Sequence, residues 1–401
     1  MRIETIRIKN FKALQDVHLT NLPGFCVFVG KNGSGKTTLF RVFAFLKRAL
    51  ETNVRIALQQ EGGRLGFQEV ATRGHAAENI EIEIQFRLAI LGADRLVTYE
   101  LHLGYDATSA KPLIRREILR YKRGRHGKPY HYLDFSNGVG MVVANEKDFD
   151  EPAKELIREQ QTLDAPDILA IKGLGQFERF KAASEFRRLI ENWHISDFHI
   201  TAARGVKDDD ASIHLSSSGD NLASVARHLY ENERIIFDRI LRKMKERVPG
   251  VADVEVKPTD DGRLLMKYRD GAFKDPFLDS NVSDGTIKMF SYLVLLEDSK
   301  PHPILCVEEP ENQLYPDLMT VLAEEFAGYA ERGGQVFVSS HSPDFLNATP
   351  LESIFWLEKN EGFSTVHRAS DKALLQRLVK EGDLPGWLWN QGLFESQKLK
   401  A

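Results

Sequence analysis

Between residues 25 and 46 the chain reads FCVFVGKNGSGKTTLFRVFAFL, a stretch that leaves a polypeptide little choice of fold. An apolar strand, Phe25 to Val29, runs into Gly30-Lys31-Asn32-Gly33-Ser34-Gly35-Lys36-Thr37 and then into a helix-like segment. The pattern is G-x-x-x-x-G-K-[ST], in the strand–loop–helix setting its chemistry requires. The glycines let the backbone curl so that successive N–H groups point inward at phosphate oxygens. The start of the helix adds the positive end of its dipole. Lys36 then reaches β- and γ-phosphates, and the Thr37 hydroxyl is placed for Mg²⁺. The loop therefore predicts nucleotide binding.

A second stretch supplies what such a loop needs. VEEPENQLYP (residues 307–316) follows the apolar run Ile304-Leu305-Cys306, so Glu308 and Glu309 stand where a buried strand runs out. Nucleotide hydrolysis on a phosphate loop calls for a carboxylate at a strand end facing Mg²⁺. It also calls for an acid beside it that orients or deprotonates the attacking water. Glu308 takes the first role and Glu309 the second. Neighbouring strand residues point to opposite faces, so the pair requires the backbone to turn there. In isolation the same letters describe an ordinary acidic loop; the phosphate loop is what favours a site.

Two weaker signals stand in the same order along the chain. Ser283-Asp284-Gly285-Thr286 opens an apolar helix-like run, a second anion-binding helix start. Val336 to Val338 leads into Ser339-Ser340-His341-Ser342-Pro343. A histidine at that strand end can hydrogen-bond a γ-phosphate or the attacking water.

Composition narrows the setting. The 401 residues suffice for one large domain or two to three smaller ones. A net charge of −4 excludes a polycation, so any nucleic-acid contact has to come from a local basic patch. Cys26 and Cys306, each inside an apolar run, read as buried thiols in a reducing compartment rather than a disulfide or zinc site. No segment approaches the roughly 18 apolar residues of a membrane span, and MRIETIRIKNF is not a signal peptide. The expected location is cytoplasmic, with no membrane partner.

Phosphate loop, Ser-x-Gly helix start, acidic strand end and histidine strand end, in that order, resemble the ABC-type ATPase heads of the SMC, RecF and OLD-like group. The opening IETIRIKNFKALQDVHLTNLPGFCVFVGKNGSGKTT, with its Asn10-Phe11-Lys12 turn, is similar to the start of such heads. LSSSGDNLASVARHL and VEEPENQLYPDL resemble the short prokaryotic AAA-type branch. The resemblance implies an α/β fold, a P-loop NTPase with an ABC-ATPase-like head, an antiparallel β layer and a helical insertion. It implies ATP and Mg²⁺ as ligands. Gly30, Asn32, Gly33, Ser34, Gly35, Lys36, Thr37 and Thr38 would hold the phosphates, with Thr37 and Glu308 on the metal. Ser283 and Gly285 match the signature motif, which in the family contacts nucleotide on a second subunit. Glu309 matches the catalytic acid and His341 the switch histidine. Glu308 replaces the usual aspartate, Ser-Asp-Gly replaces Ser-Gly-Gly, and Gln68 is the best available lid glutamine.

Between the motifs, residues 79–145 alternate apolar and polar positions and predict an antiparallel layer. EPAKELIREQQTL, FERFKAASEFRRLIENW and NLASVARHLYENERIIFDRILRKMKERV read as helices without the long heptad arms of a chromosome-organising protein. The expected division is 1–145 for the N-terminal half of the head, 146–248 for a helical insertion lobe, and 249–401 for the C-terminal half with a short tail. The run Arg115 to Lys128, RREILRYKRGRHGK, is either a solvated hairpin or a patch for phosphate backbone. IFWLEKNEGFSTVHRAS reads as a closing hairpin, after which no room is expected for a nuclease domain. Trp387, Leu388, Trp389 and Phe394 either pack on the head or form a docking patch.

The resemblance thus implies an Mg²⁺-dependent ATPase that dimerises around ATP, or forms a higher oligomer, and controls a separate effector such as a nuclease in an anti-phage defence module. The alternative it leaves open is a RecF-like DNA-binding ATPase of repair or recombination. A transporter ATPase subunit is disfavoured by the helical segments and the NFK opening.

Overall fold

The structure, a computed structural model, describes residues 2–123, 128–149, 151 and 154–395. They form two compact units, Met1–Trp193 with Phe355–Asp371, and His194–Ile354 with Lys372–Ala401.

In the first unit eight strands make one antiparallel sheet. Their order is Leu14–Leu19, Arg2–Phe11, Ile80–Ile90, Ala93–Asp106, Lys111–Tyr121, Tyr130–Ser136, Val139–Val143 and Arg158–Thr162. Alternation produces it: Ile80, Ile82, Ile84, Phe86, Leu88 and Ile90 are buried, whereas Glu81, Glu83 and Arg87 are not. Helix Lys181–Glu191 lies on the buried face through Phe186, whose ring is 4.5 Å from that of Phe86 and 4.7 Å from that of Tyr99. Glu117, fully buried among these side chains, accepts from the Tyr99 hydroxyl (3.2 Å) and from the Ala170 and Ile171 N–H groups (2.5 and 3.0 Å). The unit also holds strand Phe25–Gly30, which neighbours Ile354–Asn360; the latter forms a hairpin with Phe363–Arg368. Glu361 and Gly362, both at positive φ, make the tight turn such hairpins favour.

The antiparallel layer expected at residues 79–145 is present, and it extends further at both ends. EPAKELIREQQTL reads as helical, yet Arg158–Thr162 is a strand paired with Val139–Val143. It is the outermost strand and its residues alternate exposed and half-buried. Ladder hydrogen bonds there outweigh the helix propensity of Glu and Gln. The other two segments are helical, in Lys181–Glu191 and in Leu222–Asn232 with Arg234–Arg247, the last two separated by Glu233 at φ −131°, ψ 51°. Lys181–Glu191 belongs to the first unit and the pair to the second.

In the second unit His194–Ser196, Ile304–Glu308 and Gln335–Ser339 run parallel, with Ser196 opposite Val307 and Glu308 opposite Ser339. Ile304 to Val307 and Gln335 to Ser339 are buried throughout, the continuous pattern of strands covered on both faces. Helix Asp284–Leu296 is buried from Thr286 to Leu296, and Asp317–Glu331 buries Met319, Leu322 and Phe326. A separate antiparallel sheet comprises Val251–Pro258, Leu264–Asp270 and Phe277–Leu278. Helix Pro385–Asn390 closes the unit: a Cβ on Gly386 would stand 1.9 Å from the Pro343 carbonyl oxygen, so only glycine fits. Leu388 and Phe394 are buried, Trp389 meets Phe394 edge-on at 5.6 Å, and Trp387 is exposed. Most of this tail therefore packs. Among the described residues no helix is long and apolar enough to cross a membrane.

Candidate active site

The phosphate loop belongs to the first unit. Phe28 of its strand stacks on Phe355 at 5.3 Å and meets Phe40 edge-on at 6.0 Å, which fixes where the loop begins. A Cβ on Gly30 would lie 2.4 Å from Ser34 Oγ and 2.7 Å from the Leu357 carbonyl oxygen. Gly35, at φ +106°, would place one 2.3 Å from Ser364 Oγ. Both glycines are thus required by the packing of the loop, and Gly33 by its φ of +76°. Helix Lys36–Glu51 has no acidic residue in its first turn and no side-chain cap. Its leading N–H groups and the positive end of its dipole favour an anion there. Lys36 is buried, and its Nζ donates to the carbonyl of Gly30 at 2.7 Å and of Lys31 at 3.4 Å, folded over the loop. Asn32 and Thr37 are exposed and Thr38 half-buried. The Oγ atoms of Ser34 and Ser364 are buried beside the loop with no hydrogen-bond partner among the described residues. A polar lining of that kind suits an oxygen-rich ligand. The residues present fit a nucleotide's phosphates.

The Asn10-Phe11-Lys12 turn has a local structural use in the same unit. Asn10 Nδ2 donates to the carbonyls of His75, Glu78 and Asn79 at 3.0 to 3.2 Å, and its Oδ1 accepts from Thr72 N at 2.9 Å. Lys12 Nζ bonds the Glu61 carbonyl (2.8 Å) and carboxylate (3.0 Å). Gln68 is exposed on the short helix Phe67–Val70.

The acidic strand end and the histidine come together in the second unit. Glu308 closes its strand half-buried, and Glu309 follows at φ +44°, in the left-handed region. That conformation costs about 1–2 kcal/mol for a residue with a side chain. It breaks strand alternation at the point where two adjacent carboxylates need it broken. Glu309 N donates to the Ser339 carbonyl at 2.9 Å. Its carboxylate is gripped at both oxygens, Oε1 3.1 Å from His341 Nε2 and Oε2 accepting from Asn312 Nδ2 at 3.0 Å. A half-exposed carboxylate so fixed can orient a water and take its proton. Ser283 caps helix Asp284–Leu296, its Oγ accepting from Thr286 N at 3.2 Å. A Cβ on Gly285 would meet the Gln313 carbonyl oxygen at 3.0 Å.

Four residues of this neighbourhood were not singled out in the sequence. Asn312 is the second grip on Glu309. Glu311 accepts through Oε1 from Ser340 Oγ (3.1 Å) and from the His341 backbone N–H, which sets the histidine's loop. Lys288, buried on helix Asp284–Leu296, donates to the Asn312 carbonyl at 2.6 Å. Burial pushes its ammonium down to about 8, against the pull of Glu311 and Glu309. Arg204 pairs with Asp284 and donates to the Val282 carbonyl at 2.7 Å, bracing the segment ahead of Ser283. Only Lys288 left a readable trace, a single charge inside the apolar run IKMFSYLVLL.

Within the basic run, several cations are engaged by the protein itself. Arg116 forms a two-pronged pair with Asp134 (3.2 and 3.0 Å), and Arg120 pairs with Glu100. Arg115 reaches the Tyr105 carbonyl at 3.3 Å, and Arg123 those of Phe149, Glu151 and Lys154 at 2.9 to 3.0 Å. Tyr121 is buried, Lys122 and Lys128 are exposed, and Arg125 lies outside the described residues.

Comparison with known proteins agrees with this geometry. A sequence profile for the family described as "AAA domain, putative AbiEii toxin, Type IV TA system" matches residues 25–347. The DNA replication and repair protein RecF of Lactococcus lactis subsp. cremoris strain MG1363 is 30% identical over 101 residues, 24% of this chain and 28% of RecF. RecF of strain SK11 is 27% identical over a stretch of the same length. The match thus spans little more than a quarter of these relatives. An SMC head solved bound to the C-terminal winged-helix domain of ScpA superposes with a TM-score of 0.53 at 14% identity, covering 92% of this chain and 98% of that one. The fold is that of an SMC-like P-loop ATPase head, mixed α/β with a large antiparallel sheet.

Proposed function

The chain belongs to this AAA-domain family of SMC- and RecF-like P-loop proteins, and from that premise we propose that it is an Mg²⁺-dependent ATPase that closes as a dimer around ATP. It acts as the regulatory subunit of a prokaryotic anti-phage defence module and controls a separate effector. The observation that carries the ATPase reading is the grip of His341 and Asn312 on the two oxygens of Glu309.

In this reading Lys36 and the loop N–H groups would hold the phosphates, and Thr37 and Glu308 would be ligands for Mg²⁺. Glu309 would align the attacking water and accept its proton, and His341 would report the γ-phosphate. Mg²⁺, when bound, neutralises charge that builds on the transferring phosphoryl group. Ser283 and Gly285 serve nucleotide held by the other subunit, so binding and hydrolysis switch quaternary structure. The defence role is favoured by the family description, which names a toxin–antitoxin system, an arrangement of paired components. The similarity to RecF supports a second reading, direct action on DNA.

Steady-state ATP hydrolysis by the purified chain, alone and with duplex DNA, single strands or RNA, separates the two. Hydrolysis indifferent to all three supports a partner-gated ATPase. Strong stimulation by DNA, with an affinity that falls steeply with salt, supports the RecF-like reading. No hydrolysis under any condition overturns both.

A further inference from the structure

Three donors in the second unit converge without any part in the site above. His214 stands in the loop ahead of helix Leu222–Asn232, Asp298 just beyond helix Asp284–Leu296, and His302 just before strand Ile304–Glu308. One donor atom from each lies within 4.8 Å of the other two. His214 Nδ1 is 2.6 Å from Asp298 Oδ2, and the His214 and His302 rings are 5.7 Å apart. The geometry points to a divalent transition-metal site, for Zn²⁺ in the first instance, formed by His214, Asp298 and His302 at the foot of the strand that ends in Glu308.

Donor chemistry selects the ion. Two imidazoles and one carboxylate suit Zn²⁺ and its neighbours in the first transition row, whereas Mg²⁺ and Ca²⁺ take oxygen ligands. Donors around four-coordinate zinc, with bonds of about 2.0–2.1 Å, stand about 3.4 Å apart. The short His214–Asp298 contact has to open by less than an ångström, and the widest separation to close by somewhat more. The His214 side chain is 38% exposed and can move that far, while Asp298, at 9%, stays fixed. Water enters from the same exposed side to fill the remaining coordination position.

The surroundings hold the donors in place as outer-shell contacts do in metal sites. Asn221 Nδ2 donates to the His214 carbonyl at 3.0 Å, and the Tyr329 hydroxyl to that of His302 at 2.8 Å. The second carboxylate oxygen of Asp298 accepts from Lys300 N at 2.8 Å. The ring of His194 packs on that of His302 at 4.8 Å and fixes its plane. Glu308 lies six residues beyond His302, about 20 Å along an extended strand. The metal therefore braces the base of the sheet, tying the 214 loop to residues 298–302, and does not take part in hydrolysis.

The pair His199–Asp197, at 3.3 Å, is a histidine–carboxylate contact on the exposed surface of the same unit and provides the control. Tag-free full-length protein, stripped with a chelator and desalted, is titrated with Zn²⁺ against a chromophoric chelator, with Co²⁺ as a spectroscopic probe. One Zn²⁺ per chain is expected in the wild type and in His199→Ala. His214→Ala, in an exposed loop, and the shape-conserving Asp298→Asn each weaken binding at least ~10-fold and remove the visible bands of bound Co²⁺. Circular dichroism confirms that both remain folded. Equal zinc affinity in the wild type and these two variants overturns the site. So does a lack of stoichiometric uptake by the wild type at equimolar Zn²⁺.

Discussion

Replacing Glu117 by glutamine should flatten the pH dependence of stability in the first unit. Glu117 has no exposed surface, and burial raises its carboxyl to about 7 from an ordinary 4.5, although three donors point at it. Between those two pH values the folded chain holds a proton that the unfolded chain has released. Raising the pH therefore costs stability. The contribution is fully present below about 4.5 and lost as pH rises through about 7. A difference of roughly 2.5 units, at about 1.4 kcal/mol each, amounts to about 3 kcal/mol. For a unit of this size that corresponds to roughly 6–12 °C in Tm. Glutamine keeps the shape and cannot ionise, so Glu117→Gln should gain on the wild type by about that amount between pH 5 and pH 8. Urea unfolding followed by tryptophan fluorescence measures it. A Trp387→Phe/Trp389→Phe background leaves Trp193 and Trp356, both in the first unit, as reporters. If the two pH profiles run parallel, the carboxyl is not held neutral and the reasoning fails.

The catalytic assignments make sharper demands. Glu309→Gln should retain ATP binding, lose turnover by ~10²–10⁴-fold, and accumulate as a closed dimer on gel filtration with ATP. Wild-type turnover in that variant removes Glu309 from its role. Lys36→Ala should abolish nucleotide binding as read by fluorescent ATP analogues, and unchanged affinity would remove the basis of the whole assignment. Asn312→Ala removes the hydrogen bond from Asn312 Nδ2 to Glu309 Oε2 and should lower kcat by about 10-fold with little change in KM, since holding a catalytic group costs only the transition state. An effect confined to KM would place Asn312 on the substrate instead.

What the sequence made legible is what short-range chemistry dictates. The phosphate loop could be read because its glycines, lysine and flanking strand are contiguous. The β layer could be read because Ile80 to Ile90 alternate without a break. The strand end at Glu308 and the hairpin closing at Glu361-Gly362 follow from the same local rules. Arg158–Thr162 escaped because an outermost polar strand owes its state to its neighbour rather than to its own letters. Arg204 and Glu311 escaped because their partners, Asp284 and the His341 loop, are distant in the chain. Asn312 stands inside the quoted acidic motif, yet nothing in the letters says which way its amide points. The positive φ of Glu309 answers the question raised by two adjacent acids, and no periodicity argument could have supplied it.

The first unit is discontinuous in the chain, and this imposes an order on biosynthesis. The wall behind the phosphate loop is translated about 320 residues after it: Phe355 under Phe28, the Leu357 carbonyl against Gly30 and Ser364 against Gly35. At about 5–20 residues per second, roughly 15 s to 1 min separates the synthesis of the loop from that of its backing. Throughout that interval strand Phe25–Gly30 lacks its neighbour Ile354–Asn360. Nucleotide competence is then among the final properties a nascent chain acquires. A ribosome that stalls before residue 355 leaves Ser283, Glu308, Glu309 and His341 made but the phosphate loop without its backing.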